Sequence, residues 1–420
     1  MSSSPAEPAR DIDANEGDAE RLVLYFSALT ALLAFAAPTG LASLPVAFFL
    51  KDRLHLDAEG LALFGLITNL PLLLGFVFGL IRDHHVFGLR DRGYLAAGAL
   101  LGALFYMTLV RGSVSYVQLT ITIVLASSAF QMASTSLQAS MTIAGKRRLM
   151  TGRLSGVTYA ALVLPQVVTA LAGGWLASHV SPRATFAIVA VVSCAILYEA
   201  FRPTLQIAEA PVRSSLRETL QTAGAMLRER SLRIVIVILF FTSFSPGWVT
   251  PLFYFFTSHL KMTSEAFGVY VAVLFGMEAV GAVLYAWLCK RMTLEELLWY
   301  VTIINVASTP LPYWVHTVSQ AMIVSAIAGF AFGMANATYF DLLMRSCPKD
   351  LEGTGRMLGS SAFFIAQFGA DLLGSALYER NGFGLCMILS TLATVLVFPM
   401  LLALPRALIA TRDGEGFPIS

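Results

Sequence analysis

Charge is what this chain has least of. Only 13% of its 420 residues are charged, six are histidine and four are cysteine, while 57% are hydrophobic and the mean hydropathy is +0.72. That composition excludes an ordinary soluble globule. The cysteines, Cys194, Cys289, Cys347 and Cys386, form no C-x-x-C pair, which argues against disulfide frameworks and metal clusters. The sequence has no His-Glu-x-x-His, no Gly-x-Ser-x-Gly and no clustered acidic set of the kind a membrane enzyme or metal site needs. It also lacks the Gly-x-x-x-x-Gly-Lys-Ser/Thr loop that cradles ATP. Nor is there a basic face interleaved with aromatics to meet nucleic acid. The expectation is a protein that is not an enzyme and has no cofactor, metal or nucleic-acid partner.

What the chain does have is long apolar runs. Twelve are read, at 22–50, 60–81, 94–110, 116–143, 154–179, 184–201, 234–258, 266–288, 297–315, 318–343, 357–378 and 383–404. Most reach the ~20 residues a helix needs to cross a bilayer. Of the 28 Lys and Arg residues, 22 fall in the two tails and the even-to-odd loops, and only 6 in the odd-to-even loops. Basic loops stay on the cytoplasmic side. The expected protein is therefore all-α and multi-pass in the cell (inner) membrane, with both termini cytoplasmic and membrane lipids as its surroundings. Residues 1–21, acidic and polar, are read as a disordered cytoplasmic tail. Residues 22–201 form a six-helix bundle, 202–233 a cytoplasmic linker carrying an amphipathic helix, 234–405 a second six-helix bundle, and 406–420 a second tail.

Internal duplication supports the two halves. Residues 45–59 align without gaps to 251–265, sharing Pro45/Pro251, Phe49/Phe255, Leu54/Leu260 and Glu59/Glu265. Thr151-Gly-Arg153 likewise returns as Thr354-Gly-Arg356, and Phe130-Gln-Met-Ala as Phe332-Gly-Met-Ala. Each echo pairs a span with the one six places later, a parallel repeat about an axis along the membrane normal. Helix breakers recur in the same pair of spans: Pro38, Gly40 and Pro45 in the first, Pro246, Gly247 and Pro251 in the seventh. Discontinuous helices at corresponding positions point to a gated binding site.

Ionisable residues deep in a span cost about 2.5–3.5 kcal/mol on insertion scales and usually face a cavity or a partner. Glu278 and Asp371 are the two such carboxylates, read as proton or cation sites. Asn69, Gln166, Gln131 and Asn336 are polar at comparable depth and are read as substrate partners. Trp248, beside the break in span seven, is a candidate for stacking on a flat solute.

The loop after the second span, Gly79-Leu-Ile-Arg-Asp83 followed by Gly88, Arg90 and Arg92, resembles the signature of the major facilitator superfamily. With Leu70-Pro71, Tyr94, Leu44-Pro45 and Cys347-Pro348…Glu352-Gly353-Thr354, the chain is most similar to the folate–biopterin transporter family. The resemblance implies a monomeric secondary transporter of twelve helices in two six-helix bundles. Spans two, five, eight and eleven, which carry Asn69, Gln166, Glu278 and Asp371, would line its central cavity. It also implies that Gly79, Asp83, Gly88, Arg90 and Arg92 form a cytoplasmic gating latch. Leu72 and Gly75 stand where that family has Trp and Lys, and span four lacks aspartate, so the implied scaffold is shared and the substrate is not. The functional expectation is a symporter of a small organic solute, coupled to protons and working by alternating access. The alternative is a transport-inactive receptor or lipid-handling scaffold on the same fold.

Overall fold

The structure is a computed structural model; it describes residues 9–52, 54, 58–83, 89–110, 115–179, 182–201, 229–349 and 351–415, and these are helical almost throughout. In chain order the first half contains α1 (Ala9–Ala36), α2 (Ser43–Asp52), α3 (Ala58–Leu73), α4 (Gly75–Asp83), α5 (Asp91–Val110), α6 (Tyr116–Arg147), α7 (Thr151–His179) and α8 (Pro182–Ala200). The second half contains α9 (Arg230–Ser243), α10 (Thr250–Tyr254) running into a π-turn at Phe255–His259, α11 (Ser264–Leu288) and α12 (Leu294–Ser308). It continues with α13 (Val318–Ser346), α14 (Glu352–Asn381), α15 (Phe383–Val395), α16 (Val397–Leu402) and α17 (Arg406–Ile409).

Among the described residues nine helices are long and apolar enough to cross a membrane. Two of the expected spans fall short because prolines cut them. α9 stops before Pro246, and α12 stops before Pro310 and gives way to a short 3₁₀ turn at Leu311–Trp314. The expected span at 154–179 is α7, with Pro165 inside it. The first helix corrects one expectation: it starts at Ala9, inside the stretch read as a disordered tail. That stretch has no proline after Pro8 and one glycine, so nothing in it stops helix propagation. The linker helix read within 202–233 falls almost wholly on residues 202–228, which lie outside the described residues.

The expected breaks in spans one and seven are present. Ser243 stands 207 residues after Ala36, and Thr250 stands 207 after Ser43, so the two gaps in the helices are in register. Backbone groups freed at such gaps have to be satisfied inside a membrane protein. Tyr106 donates to the Ala36 carbonyl at 3.0 Å in the first gap, and Ser390 accepts from the Gly247 amide at 3.0 Å in the second.

Buried side chains segregate by half. One apolar cluster gathers residues from Ala19 to Ala200 together with Met344; another runs from Leu232 to Ile409. A third, containing Ala160, Val163, Ala279, Ala282 and Tyr285, sits where α7 packs along α11 and joins the halves. Within the second half, α11 and α13 approach backbone to backbone. A Cβ on Gly281, Gly329 or Gly333 would lie 2.2, 2.2 or 1.8 Å from a carbonyl oxygen of the facing helix. Small residues four apart, as Gly329 and Gly333 are, permit such crossings in membranes.

Candidate functional site

The close crossing of α11 and α13 places Glu278 beside Asn336, and α7 brings Tyr159 to both. Tyr159 donates to Glu278 Oε1 at 2.6 Å, and Asn336 Nδ2 donates to the same oxygen at 3.1 Å and to the Tyr159 hydroxyl at 2.7 Å. Oε2 takes no hydrogen bond from the described residues and is not sealed off. No Lys or Arg among the described residues makes an ion pair with this buried carboxylate. Tyr159 lies eight residues from the start of α7, and Glu278 and Asn336 ten residues from the ends of their helices, so each is about 12–15 Å into its span. The triad therefore joins the halves at depth. Sequence reasoning missed Tyr159. The available signal was its spacing of seven residues, two helical turns, from Gln166 on one face.

The other expected residues scatter. Asp371 accepts from the Thr250 amide at 2.8 Å and its hydroxyl at 2.9 Å, which caps α10 after the break in span seven. Asn69 donates to the Gly65 carbonyl of its own helix at 2.9 Å, and Gln166 is half-buried. Gln131 is buried against Met357, its amide 3.6 Å from the sulfur and 3.0 Å from where a Cβ on Gly75 would stand. The space a longer residue at position 75 would enter is thus already filled by Gln131 and Ser361. Trp248 meets Phe332 edge-on, with ring centroids 4.7 Å apart, and its buried indole N–H has no partner among the described residues. Between the triad and the loop end, Arg356 donates to Gln138 Oε1 at 3.1 Å and lies 4.4 Å over the Phe340 ring, which in turn faces Tyr159 at 5.8 Å.

At the end of the bundle where the basic loops gather, Asp83 accepts from the Gly353 amide at 3.2 Å and from the Thr354 amide and hydroxyl, both at 2.6 Å. A buried carboxylate is thereby placed on the N terminus of α14, where the helix dipole favours negative charge. Gly79 permits the approach, since a Cβ there would be 2.7 Å from Thr354 Cα. The guanidinium that meets Asp83, at 2.8 Å, belongs to Arg82, which is itself gripped in two-pronged fashion by Asp91 at 2.6 and 2.5 Å. Ser136 and Ser140 hold Asp91 from α6. Arg82 and Asp91 were not singled out from sequence, although they flank the residues that were. Arg90 is exposed, Arg92 half-buried, and Gly88 lies outside the described residues.

Asp83→Asn is expected to keep expression and folding but slow transport. Loss of a buried charge–dipole contact worth about 1–2 kcal/mol shifts a gating equilibrium roughly tenfold. Initial uptake rates normalised to surface protein test this, and an unchanged rate would return the loop to a purely topological role.

The chain is thus an all-α, multi-spanning membrane protein with two halves joined across an internal polar site. The profile of the Major Facilitator Superfamily matches residues 146–370, more than half of the chain, and the chain belongs to that family, which carries small organic solutes by secondary transport. It is 24% identical over 393 residues to a folate-biopterin transporter of Synechocystis sp., covering 87% of this chain and 78% of that protein. It is 25% identical over 360 residues to the probable folate-biopterin transporter 7 of Arabidopsis thaliana, covering 80% and 81%. Among solved structures, the human organic anion transporter MFSD10 superposes with a TM-score of 0.73 at 15% identity, over 90% of this chain and 98% of that one. The proton:xylose symporter XylE superposes with a TM-score of 0.70 at 14% identity, over 95% and 98%. These two likenesses concern the fold.

Proposed function

We propose that the chain is a proton-coupled symporter of a small organic solute, working by alternating access between two six-helix bundles, 22–201 and 234–405. The observation that carries this reading is the bridge from Tyr159 in one half to buried Glu278 in the other. When the halves part at the basic-loop end, Glu278 loses its strongest donor while still inside the membrane. An uncompensated carboxylate there costs several kcal/mol, so a proton on the free Oε2 accompanies that opening. The solute binds in the same interface, with Asn336, Gln131, Asn69, Gln166 and the Trp248 indole N–H as hydrogen-bonding groups.

The relatives' names make pterins and folates the first solutes to try. Because Gly75 replaces the family's lysine and Gln131 fills that space, a pterin without a glutamate tail fits this chain better than a folate. Uptake of radiolabelled biopterin and folate into proteoliposomes with an imposed proton gradient is the direct experiment. Accumulation that collapses with a protonophore supports the reading. Counterflow without accumulation removes the coupling. Neither accumulation nor counterflow, nor thermal stabilisation by any solute in a broad panel, leaves the receptor or scaffold alternative.

A further inference from the structure

The two Thr-Gly-Arg echoes lie in the first turns of α7 and α14, and in the structure each helix start is held by an aspartate from the opposite half. For α14 that aspartate is Asp83, the last residue of α4. Its counterpart at the end of α11, 206 residues on and in step with the Pro45/Pro251 echo, is Cys289, which cannot supply a carboxylate. Cys289 nonetheless sits against Gly152 as Asp83 sits against Gly353. A Cβ on Gly152 would be 2.9 Å from the Cys289 sulfur, and one on Gly353 would be 2.5 Å from Asp83 Oδ1. The carboxylate comes instead from Asp413, in the segment after the last helix. Asp413 accepts from the Gly152 amide at 2.9 Å and from Arg153 Nε at 2.7 Å, while its own amide donates to the Cys289 carbonyl at 2.9 Å. Around it, Arg345 bonds both Thr151 and the Thr411 carbonyl, Asp341 holds Arg345 from below and itself accepts from the Tyr285 hydroxyl, and the Gly414 amide reaches the Leu149 carbonyl.

We propose that Asp413 is a positioning residue of the transport cycle: the 411–414 segment is the second gating latch, standing in for a carboxylate that the end of α11 lacks. The two latches are then functional equivalents built from different chain segments. Both hold a helix N terminus by amides of its first turn, those of Gly353 and Thr354 in α14 and that of Gly152 in α7, although the echo itself aligns Gly152 with Gly355. Opening the basic-loop end requires this segment to lift, so its release is a step of the cycle. Burial and the neighbouring Asp341 raise the Asp413 carboxyl above the usual range, while Arg153 and the Gly152 amide pull it back, so its charge is held by partners that leave with the other half.

The chain carries its own reporters. Cys289 and Cys347 are both buried at this end, and burial pushes both thiols up, that of Cys347 to about 12, so neither reacts readily while the gate is shut. Lys146 of the first half donates to the Cys347 carbonyl, so Cys347 senses separation of the halves at a point away from Asp413. The test is N-ethylmaleimide labelling of the full-length protein in proteoliposomes, followed peptide by peptide by mass spectrometry. Asp413→Ala should raise labelling of both cysteines by about tenfold, within the range of a typical coupling between sites. Adding Cys289→Asp to Asp413→Ala should return Cys347 labelling to the wild-type rate.

Faster labelling of Cys289 alone would make the segment a mere cover, and unchanged labelling of both would remove it from the gate. Persistent fast labelling of Cys347 in a folded double variant would refute the substitution of one latch for the other. Should the double variant not fold, the Asp413→Ala result decides the gating role by itself. The inference rests on the alternating-access reading, but labelling needs neither solute nor proton gradient. Its failure is therefore separable from a failure of coupling at Glu278.

Discussion

Glu278→Gln should abolish accumulation of solute against its gradient, by a factor of ten or more, while exchange of solute across the membrane persists. Both hydrogen bonds that Glu278 accepts in the triad end on Oε1, so a glutamine can keep that oxygen for Tyr159 and Asn336 and put its amide where Oε2 stands. The geometry survives and the proton site does not. Exchange involves no net proton movement, and a permanently neutral side chain never leaves an uncompensated charge in the bilayer interior, so the halves still alternate. Asp371→Asn is the contrast. Its carboxylate is committed to capping α10, and asparagine retains an acceptor for the Thr250 amide, so accumulation should remain while stability falls by up to about 1 kcal/mol. Paired accumulation and counterflow assays on both variants check this. Full accumulation by Glu278→Gln would move coupling elsewhere, and its loss in Asp371→Asn would restore that residue as a second coupling site.

Gly333→Ala should be among the most damaging single-methyl additions at the described glycines. The added carbon would lie 1.8 Å from the Glu278 carbonyl oxygen and 2.6 Å from its carbonyl carbon, both backbone atoms that no rotamer change can move. Helices α11 and α13 must then separate, opening the crossing that places Asn336 on Glu278. Overpacking of this kind costs about 3 kcal/mol, and it strikes the coupling site as well as the fold. Gly276→Ala, two residues or just over half a turn from Glu278 on α11, has nothing within 4 Å and serves as the control. It should be neutral or stabilising by up to about 1 kcal/mol, because alanine is the better helix former. Melting temperatures in detergent and monodispersity on gel filtration distinguish the two variants. Equal behaviour would mean that the close crossing is not required.

Much of this architecture was legible before any coordinates. Hydrophobic run length and the placement of basic residues depend on single segments meeting a bilayer, and that is a local property of the chain. The breaks in spans one and seven were equally legible, because proline and glycine act on the backbone where they stand. The duplication announced which segments would correspond. Glu278, Asp371 and Asp83 stood out because a carboxylate in or beside an apolar run is rare and expensive.

Sequence did not reveal what those carboxylates touch. Glu278 and Asp371 look alike as isolated acids in long helices, yet one is held by a tyrosine 119 residues away and the other caps a five-residue helix. Asn336 and Gln131 were set down together as solute partners, and only the former reaches the buried carboxylate. Arg82, Asp91 and Asp413 passed as ordinary loop and tail charges. Local pattern and the bilayer thus determined by themselves that the chain is helical, multi-spanning and duplicated. The tertiary structure alone decided which polar groups meet, because a hydrogen bond between helices depends on crossing distance and rotation. Those were set here by the glycines that let α11 touch α13 and let α4 reach the start of α14.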